Sequence, residues 1–294
     1  MTTFTKKDLR FTFILSNNAV FAGTNSNTLK INGLRASAVI KGSGLPAFPE
    51  AELNIFGLLQ ADMNALTATQ FQPLSMQRNT VLVEADSGQG FSTVFSGQII
   101  TSGPNYDGIP AAELNVHARV LGFDSLNPAT PTSYTGATDV ANVVGTIASK
   151  LGYVLENNGV NVNLSNPYFG GTLVDQLRAV ASQAGIDVYT EGNVIAICPK
   201  GAPRQQQSFT LSPQSGLVGY PKLDYQRGYV YVKALYNSAF RFGGPITVQG
   251  SDVPMANGNW VIGTVTHELD ASVPNGRWFS SMLLYPPNSL PPIS

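Results

Sequence analysis

The chain has almost no cysteine, little charge and only two histidines, and each shortage removes a class of function. Cys198 is the single thiol in 294 residues, so an intramolecular disulfide is excluded. Set in the apolar run Val194-Ile195-Ala196-Ile197-Cys198, it reads as a small buried hydrophobe. Charged residues make up 12% of the sequence, about half the roughly 25% usual in soluble domains, so Ser, Thr, Asn and Gln must supply most of the polar surface. With 17 basic and 18 acidic residues the net charge is -1, which leaves little repulsion between copies and suits broad contacts with other proteins. The basic residues are scattered from Lys6 to Arg277, and Lys6-Lys7 is the one adjacent pair. No phosphate-neutralising stripe results, and sequence-specific nucleic-acid binding is not expected. Long apolar runs are missing too. Phe11-Thr12-Phe13-Ile14-Leu15, behind Lys6, Lys7 and Arg10, falls short of the roughly 7 to 15 apolar residues of a signal-peptide core, and nothing approaches the roughly 18 of a membrane span. The expectation is a protein that stays where it is made or leaves as part of a particle.

Catalytic motifs are equally scarce. Thr266-His267-Glu268-Leu269-Asp270 begins like the zinc-protease signature, but that signature needs a second histidine at i+4 on a helix, and here the position holds Ala271 in a β-patterned context. His117, between Val116 and Ala118, reads as a sheet-face residue rather than a base. Glu50 and Glu52 share one strand face, a placement that paired glycosidase carboxylates would need, yet a solvated edge explains them. Phe240-Arg241-Phe242 beside Gly243-Gly244 has the elements of a stacking platform and is read instead as a strand end. Gly42-Ser43-Gly44 runs into Leu45-Pro46, a bend with no helix to make an anion site. No nucleophile elbow, phosphate loop or metal-ligand cluster appears. No catalytic, cofactor-binding or metal residue is assigned, no cofactor is expected, and the chain is read as not an enzyme.

What is present is strand pattern. Alternating or β-rich stretches predict strands over Leu9–Leu15, Thr28–Asn32, Arg35–Lys41, Glu50–Phe56, Thr80–Ala85, Phe91–Thr101 and Ala112–Gly122. Asn32-Gly33 and Asp86-Ser87-Gly88 turn the chain between them, and a short helix is predicted over Gln60–Ala68. A linker-like stretch with Pro128 and Pro131 follows. Thr138 is then placed as the N-cap of a helix that carries Val140, Val143, Val144, Ile147, Ala148 and Leu151 at helical spacing and stops at Gly152. A second helix is predicted over Thr172–Ala184, stopping at Gly185. Short strands surround the two helices: Val154–Glu156, Val160–Leu164, Ile186–Thr190 and Asn193–Cys198, the last pair joined through Glu191-Gly192. Pro199–Gln207 reads as a second linker. Strands return over Leu217–Leu223, Tyr229–Tyr236, Ile246–Gly250, Asn259–Asp270 and Arg277–Tyr285, and a Pro-rich tail, Pro286-Pro287 to Pro291-Pro292, ends the sequence. The fold class expected is mainly β with a small α/β module, divided as 1–122, a first β domain, 123–207, the module with its linkers, and 208–294, a second β domain with the tail. At 294 residues, two or three domains are the ordinary expectation.

The two β sections echo each other. Phe95-Ser96-Gly97-Gln98-Ile99-Ile100-Thr101 aligns with Val261-Ile262-Gly263-Thr264-Val265-Thr266-His267. Each is followed by a turn-rich stretch and a long strand, Ala112–Val120 in one and Arg277–Tyr285 in the other. A glycine in mid-strand marks a bulge or a close backbone approach, so its recurrence suggests one bend made twice.

Read in order, these pieces resemble the baseplate hub proteins of Mu-like contractile-tailed phages and the related late-control family. The segments that carry the resemblance are Glu50-Ala51-Glu52-Leu53-Asn54-Ile55-Phe56-Gly57, Phe95–Ile100, the helix Asp139–Leu151, Gly171–Leu177 leading into Gly185–Tyr189, and Gly258–His267, spread over about residues 9 to 285. The resemblance implies two tail-tube-like β-barrel or sandwich domains flanking or embracing the module. It also implies a homotrimer with pseudo-sixfold symmetry that matches a hexameric tube above and a trimeric spike below. The chain would then be a structural virion protein, assembled in the host cytoplasm and located in the tail baseplate. Its partners would be the tail tube protein, the central spike, other baseplate proteins and, as a further candidate, the tape measure protein, with DNA passing through the ring during ejection without specific binding. The sequence is shorter than many hubs, so accessory domains are in question. A carbohydrate-binding or adhesion β protein of the tail tip, with exposed aromatics in a groove and no need to trimerise, is the alternative.

Overall fold

Regular alternation of apolar and polar side chains builds most strands of this protein. The computed structural model describes residues 6–16, 19–67, 78–108 and 111–289. Their contacts form two units. Unit 1 holds the described residues up to Ile40, then Glu50–Phe123 and His267–Trp278; unit 2 holds Lys41–Pro49, Asp124–Thr266 and the described residues from Phe279 on.

In unit 1 the strands are β1 (Asp8–Ile14), β2 (Thr28–Asn32), β3 (Ala36–Gly42, whose last residues belong to unit 2), β4 (Glu50–Phe56), β5 (Thr80–Asp86), β6 (Phe91–Asn105) and β7 (Glu113–Arg119), with helix α1 (Gln60–Leu66) between β4 and β5. They hydrogen-bond in the order β3-β4-β7-β6-β5-β1-β2. Leu9, Phe11 and Phe13, Leu53 and Ile55, Val81 and Val83, and Leu114 and Val116 point inward from alternate positions and are buried. The helix lies on β6, where the Ser102 hydroxyl donates to the Leu66 carbonyl. β6 shifts register against β5 between Val83 and Glu84 of the partner, and against β7 between its own Ile99 and Thr101. Gly97 sits between the two irregularities. A Cβ there would lie 2.5 Å from the Phe95 ring and 3.0 Å from the Arg119 backbone, so the glycine serves a close approach.

Unit 2 contains the α/β module and the second β section. Short strands β8 (Thr132–Ser133) and β9 (Ala137–Asp139) lead into helix α2 (Val140–Leu151); then come β10 (Val154–Asn157), β11 (Asn163–Ser165), β12 (Tyr168–Phe169), helix α3 (Leu173–Ala184), β13 (Ile186–Glu191) and β14 (Val194–Pro199). The sheet β10-β14-β13 is parallel at its first pair and antiparallel at its second. Val143, Val144 and Ile147 of α2 and Leu177 and Val180 of α3 share one core with Ile195 and Ile197 of β14. The second section has β15 (Phe209–Leu211), β16 (Leu217–Asp224), β17 (Tyr229–Leu235), β18 (Pro245–Val248), β19 (Gly258–Ala271) and β20 (Trp278–Tyr285), of which β19 ends and β20 begins among unit 1 residues. Their order is β16-β17-β20-β19, with β18 on β19 and β15 on β18, around a core of Leu211, Val230, Val232, Ile246, Val248, Ile262 and Met282.

Several sequence expectations are corrected. The N-cap of α2 is Asp139, whose carboxylate accepts from Ala141 N at 2.9 Å, while Thr138 is paired in β9 with Leu164. Thr172 caps α3 rather than opening it, in a reciprocal box with Asp175. The strand predicted over Val160–Leu164 is confined to Asn163–Ser165, because Asn157 bonds both the N–H and the carbonyl of Val160 and folds that stretch into a turn. The supposed linker Pro199–Gln207 is packed, with Arg204 2% exposed. The predicted end of α1 at Ala68 and the prolines 291 and 292 lie outside the described residues.

Candidate functional site

The zinc-protease-like stretch lies on β19, not on a helix. In a strand, positions i and i+4 are about 13 Å apart, so two ligands at that spacing could not share an ion. His267 is buried at 7% exposure. Glu268 and Asp270 instead hold Arg277 across the turn that follows. Arg277 Nη1 donates to Glu268 at 2.8 Å, and its Nε and backbone N–H donate to Asp270 at 3.0 and 2.8 Å. Ser37 Oγ donates to the other Asp270 oxygen at 2.7 Å. Burial pushes the Asp270 carboxyl up, but these bonds outweigh it and hold the group below its usual range.

Glu50 is 3.8 Å from His117 and 3.9 Å from Arg119, and Glu52 stands opposite His117 in the β4–β7 ladder. These residues belong to an outer face of unit 1 on which the carboxylates Glu50 and Glu52 stand beside His117 and Arg119. A shallow depression of about 430 Å³ opens there, bounded by Glu52, Asn54, Thr101, Gly103, Asn115 and His117. The exposed face of β17 and β20 in the second β section is different in character. Tyr231, Lys233 and Leu235 of β17 are exposed, and in register beside them stand Leu283, Ser281 and Phe279 of β20. The Lys233 ammonium lies 4.5 Å from the Phe279 ring centroid.

The aromatic triplet does not form a platform. Phe240 is buried and meets Phe209 edge to face at 5.1 Å, and Phe242 meets Tyr189 in the same way at 4.9 Å. Gly44 explains the glycine pair before Leu45. It bridges to Tyr189, and a Cβ would fall 2.5 Å from Phe242 and 3.0 Å from Tyr189. Cys198 is buried, and burial raises its thiol to about 12, which makes it inert. Gly263 is buried inside β19.

Sequence reasoning missed the most concentrated polar cluster. Arg204, its side chain 1% exposed, donates to both Glu156 oxygens at 2.9 and 2.8 Å and to Glu191 at 2.7 Å. Arg241 shares that Glu191 oxygen, its Nε at 2.7 Å, and Arg204 N–H donates to the Gly243 carbonyl at 2.8 Å. Every arginine–carboxylate contact here is satisfied within unit 2, so the cluster reads as a clamp between the module and the last β section. Among the described residues no three His, Cys, Asp or Glu side chains gather where they could hold one metal ion, and no helix is long and apolar enough to cross a membrane.

The distinctive surface is therefore the sheets themselves, their faces and their edges. Comparison with known proteins agrees with that emphasis. No curated protein sequence matches the chain. Three solved structures share its fold: the 43 kDa tail protein of prophage MuSo2 from Shewanella oneidensis, a tail protein from Neisseria meningitidis, and the E. coli c3393 protein. The first is similar at TM-score 0.63 and 10% identity over 94% of this chain and 96% of that one. The second is similar at 0.63 and 12% over 94% and 96%. The third, described as a component of the type VI secretion system with structural similarity to the T4 bacteriophage tail proteins gp27 and gp5, is similar at 0.60 and 12% over 88% and 77%. The sequence model of the family described as Baseplate hub gp41 matches residues 9–273. With almost the whole mainly β chain spanned by that model, this protein belongs to the baseplate hub gp41 family and is a structural protein of the phage tail baseplate.

Proposed function

We propose that three copies of this chain form a ring at the tail tip that joins the tail tube to the central spike and surrounds the path of the DNA. The observation that carries the reading is a repeated strand order. In unit 1, strands hydrogen-bond in the order β3-β4-β7-β6-β5-β1; in the second β section the order is β16-β17-β20-β19-β18-β15. Strand for strand the chain order is the same, apart from β2, and one pairing differs in sense, β1–β5 being antiparallel and β15–β18 parallel. Two copies of one β fold, within 1–122 and 208–294, with 123–207 as a module set between them, account for this. Three chains would then present six similar units to a sixfold tube.

The solvent-facing rows of the two sheets line the channel in this reading. They carry Glu50, Glu52, Asn54, Asn115, His117 and Arg119 in one repeat and Tyr231, Lys233, Leu235 and Ser281 in the other. That mixture holds no arginine–lysine stripe to retain DNA. The partners are the tail tube protein, the spike and neighbouring baseplate proteins. The chain works without catalysis: Glu268 and Asp270 are engaged with Arg277 and Arg204 with its carboxylates. Native mass spectrometry and microscopy of purified tails test the ring. Three copies at the tip are expected, and a single copy there overturns the proposal.

A further inference from the structure

β16 and its turn into β17, both within unit 2, carry large side chains that stand out into solvent. Tyr220 is 71% exposed and Tyr225 78%, and Lys222, Arg227 and Lys233 are exposed as well. In the β16–β17 ladder Val218 stands opposite Lys233 and Lys222 opposite Tyr231, with Tyr220 in the bulge between. Opposite residues share a face of the sheet, so these groups adjoin one another, on the far side of β17 from β20. Aromatic side chains exposed together mark a contact site more often than singly scattered ones do.

The charge of this surface is unbalanced. Among the described residues the Lys222 ammonium and the Arg227 guanidinium make no ion pair or hydrogen bond, and Lys233 lies over the Phe279 ring. Asp224 is the one carboxylate between Leu217 and Leu235, and the turn itself engages it. Its Oδ1 accepts from Gln226 N at 3.1 Å and Arg227 N at 3.2 Å, and its carbonyl accepts from Gly228 N at 2.8 Å. These bonds fix the turn that presents Tyr225 and Arg227, so little order has to be imposed on it when a partner binds. Three cations beside one engaged carboxylate are complementary to an anionic partner.

A second copy of the chain matches poorly, because its carboxylates are largely engaged at home: Glu84 is held by Arg10, Glu156 and Glu191 by Arg204, and Glu268 and Asp270 by Arg277. Tyrosine and arginine at the centre of a surface, beside a half-buried aliphatic such as Val218, are the composition of protein–protein contacts, and a baseplate hub has proteins for neighbours. We infer that β16 and its turn into β17 dock an acidic segment of another baseplate protein, with Tyr220 and Tyr225 as its anchors and Lys222 and Arg227 paired with its carboxylates. The docking depends on the baseplate location of the chain and not on the ring.

Tyrosine nitration and carbodiimide coupling, each read by mass spectrometry, test the docking. In the isolated protein Tyr220 and Tyr225 are expected to be nitrated while the buried Tyr189 and Tyr285 are spared. In purified tails Tyr220 and Tyr225 should lose that reactivity, and Lys222 should couple to an Asp or Glu of a different protein. Unchanged nitration in tails overturns the docking. Protection already present in the isolated protein, or coupling of Lys222 to a second copy, overturns it as well and makes the surface a contact between subunits. Protection that disappears after nuclease treatment overturns it in favour of DNA. Protection that survives nuclease without coupling is decided by Lys222→Glu with Arg227→Glu, or by the glutamine pair if the glutamates lower the melting temperature. The folded variant should fail to enter tails, and its normal incorporation overturns the acidic partner. The copy number at the tip decides the ring separately.

Discussion

At the scale of single residues, the strongest constraints come from groups whose partners are far away in sequence. Arg204 sits in a stretch that reads as a linker, and its carboxylates are 48 and 13 residues distant, so no spacing rule could have found it. Removing one member of a buried ion pair costs about 3 to 5 kcal/mol. Because Glu156 and Glu191 are 36% and 35% exposed, they can take up water when the guanidinium is lost, and Arg204→Ala should lie near 3 kcal/mol, read by urea unfolding. The same cluster gives an acid dependence. Hydrogen bonds from Arg204 hold the Glu156 carboxyl below its ordinary range, against the burial that pushes it up. A folded pKa below the unfolded value of about 4.3 stabilises the protein above that pH, and the contribution disappears as pH falls through the folded value. The melting temperature should drop below about pH 4, and Arg204→Ala should show a shallower drop; an unchanged acid slope would rule out Glu156 as its source. Gly44 is a second such position. Its Cβ would meet two rings already packed edge to face, so Gly44→Ala should destabilise by about 1 to 3 kcal/mol. A calorimetric loss below about 0.5 kcal/mol would place it with ordinary surface changes.

At the scale of elements, regular patterns were readable and short or locally bonded pieces were not. Glu50–Phe56 and Thr28–Asn32 occur with the bounds that alternation predicts, and the two module helices appear on their apolar stripes, ending at Gly152 and Gly185 in left-handed conformation. Strands of two or three residues, β8, β9, β11, β12 and β15, are too short to show a period and form because a partner is already in place. Side-chain bonding decided the remaining differences. At Asn157 it converts an apolar stretch to a turn, and at Asp139 it moves a cap by one residue because the carboxylate, not the Thr138 hydroxyl, reaches an orphan N–H. For the candidate site the sequence offered no catalytic motif, and the Arg204 cluster joins residues too far apart for any spacing to mark. The strand order behind the proposed repeat depends on which strands pair, and alternation does not encode that. The cap of α3 offers a check at this scale. Thr172 accepts from Asp175 N at 3.0 Å and Asp175 accepts from Thr172 N at 3.2 Å, satisfying two donors that would otherwise be orphaned. Thr172→Ala should cost about 1 kcal/mol and speed amide exchange in the first turn of α3 while leaving α2 unchanged; equal acceleration in both helices would mean that the module opens as one unit.

At the scale of the whole molecule, the proposed channel makes charge the decisive variable. DNA is held wherever lysine or arginine neutralises its phosphates and releases counterions, so a conduit needs a face that offers few such contacts. In the outer row of unit 1 Arg119 lies 3.9 Å from Glu50, and β4 adds Glu52, exposed, and Asn54, two residues on and on the same face. Glu52→Lys with Asn54→Lys reverses this locally. Neither side chain is in the core, so folding and assembly should be unaffected, and threefold repetition would place a ring of new cations on the DNA path. Particles carrying the pair should form normally but eject DNA more slowly at about 0.1 M salt. The delay should shrink near 1 M, where the screening length falls from about 10 Å to about 3 Å. Met255→Lys, at a position 68% exposed in the short helical turn Pro254–Ala256, adds charge outside that row and should leave ejection unchanged. Time-resolved release of labelled DNA after receptor triggering measures both. Equal ejection by the Glu52/Asn54 variant and the wild type at low salt would mean that this face does not border the DNA, and the charge-poor surface would then have to be explained by contacts with other baseplate proteins.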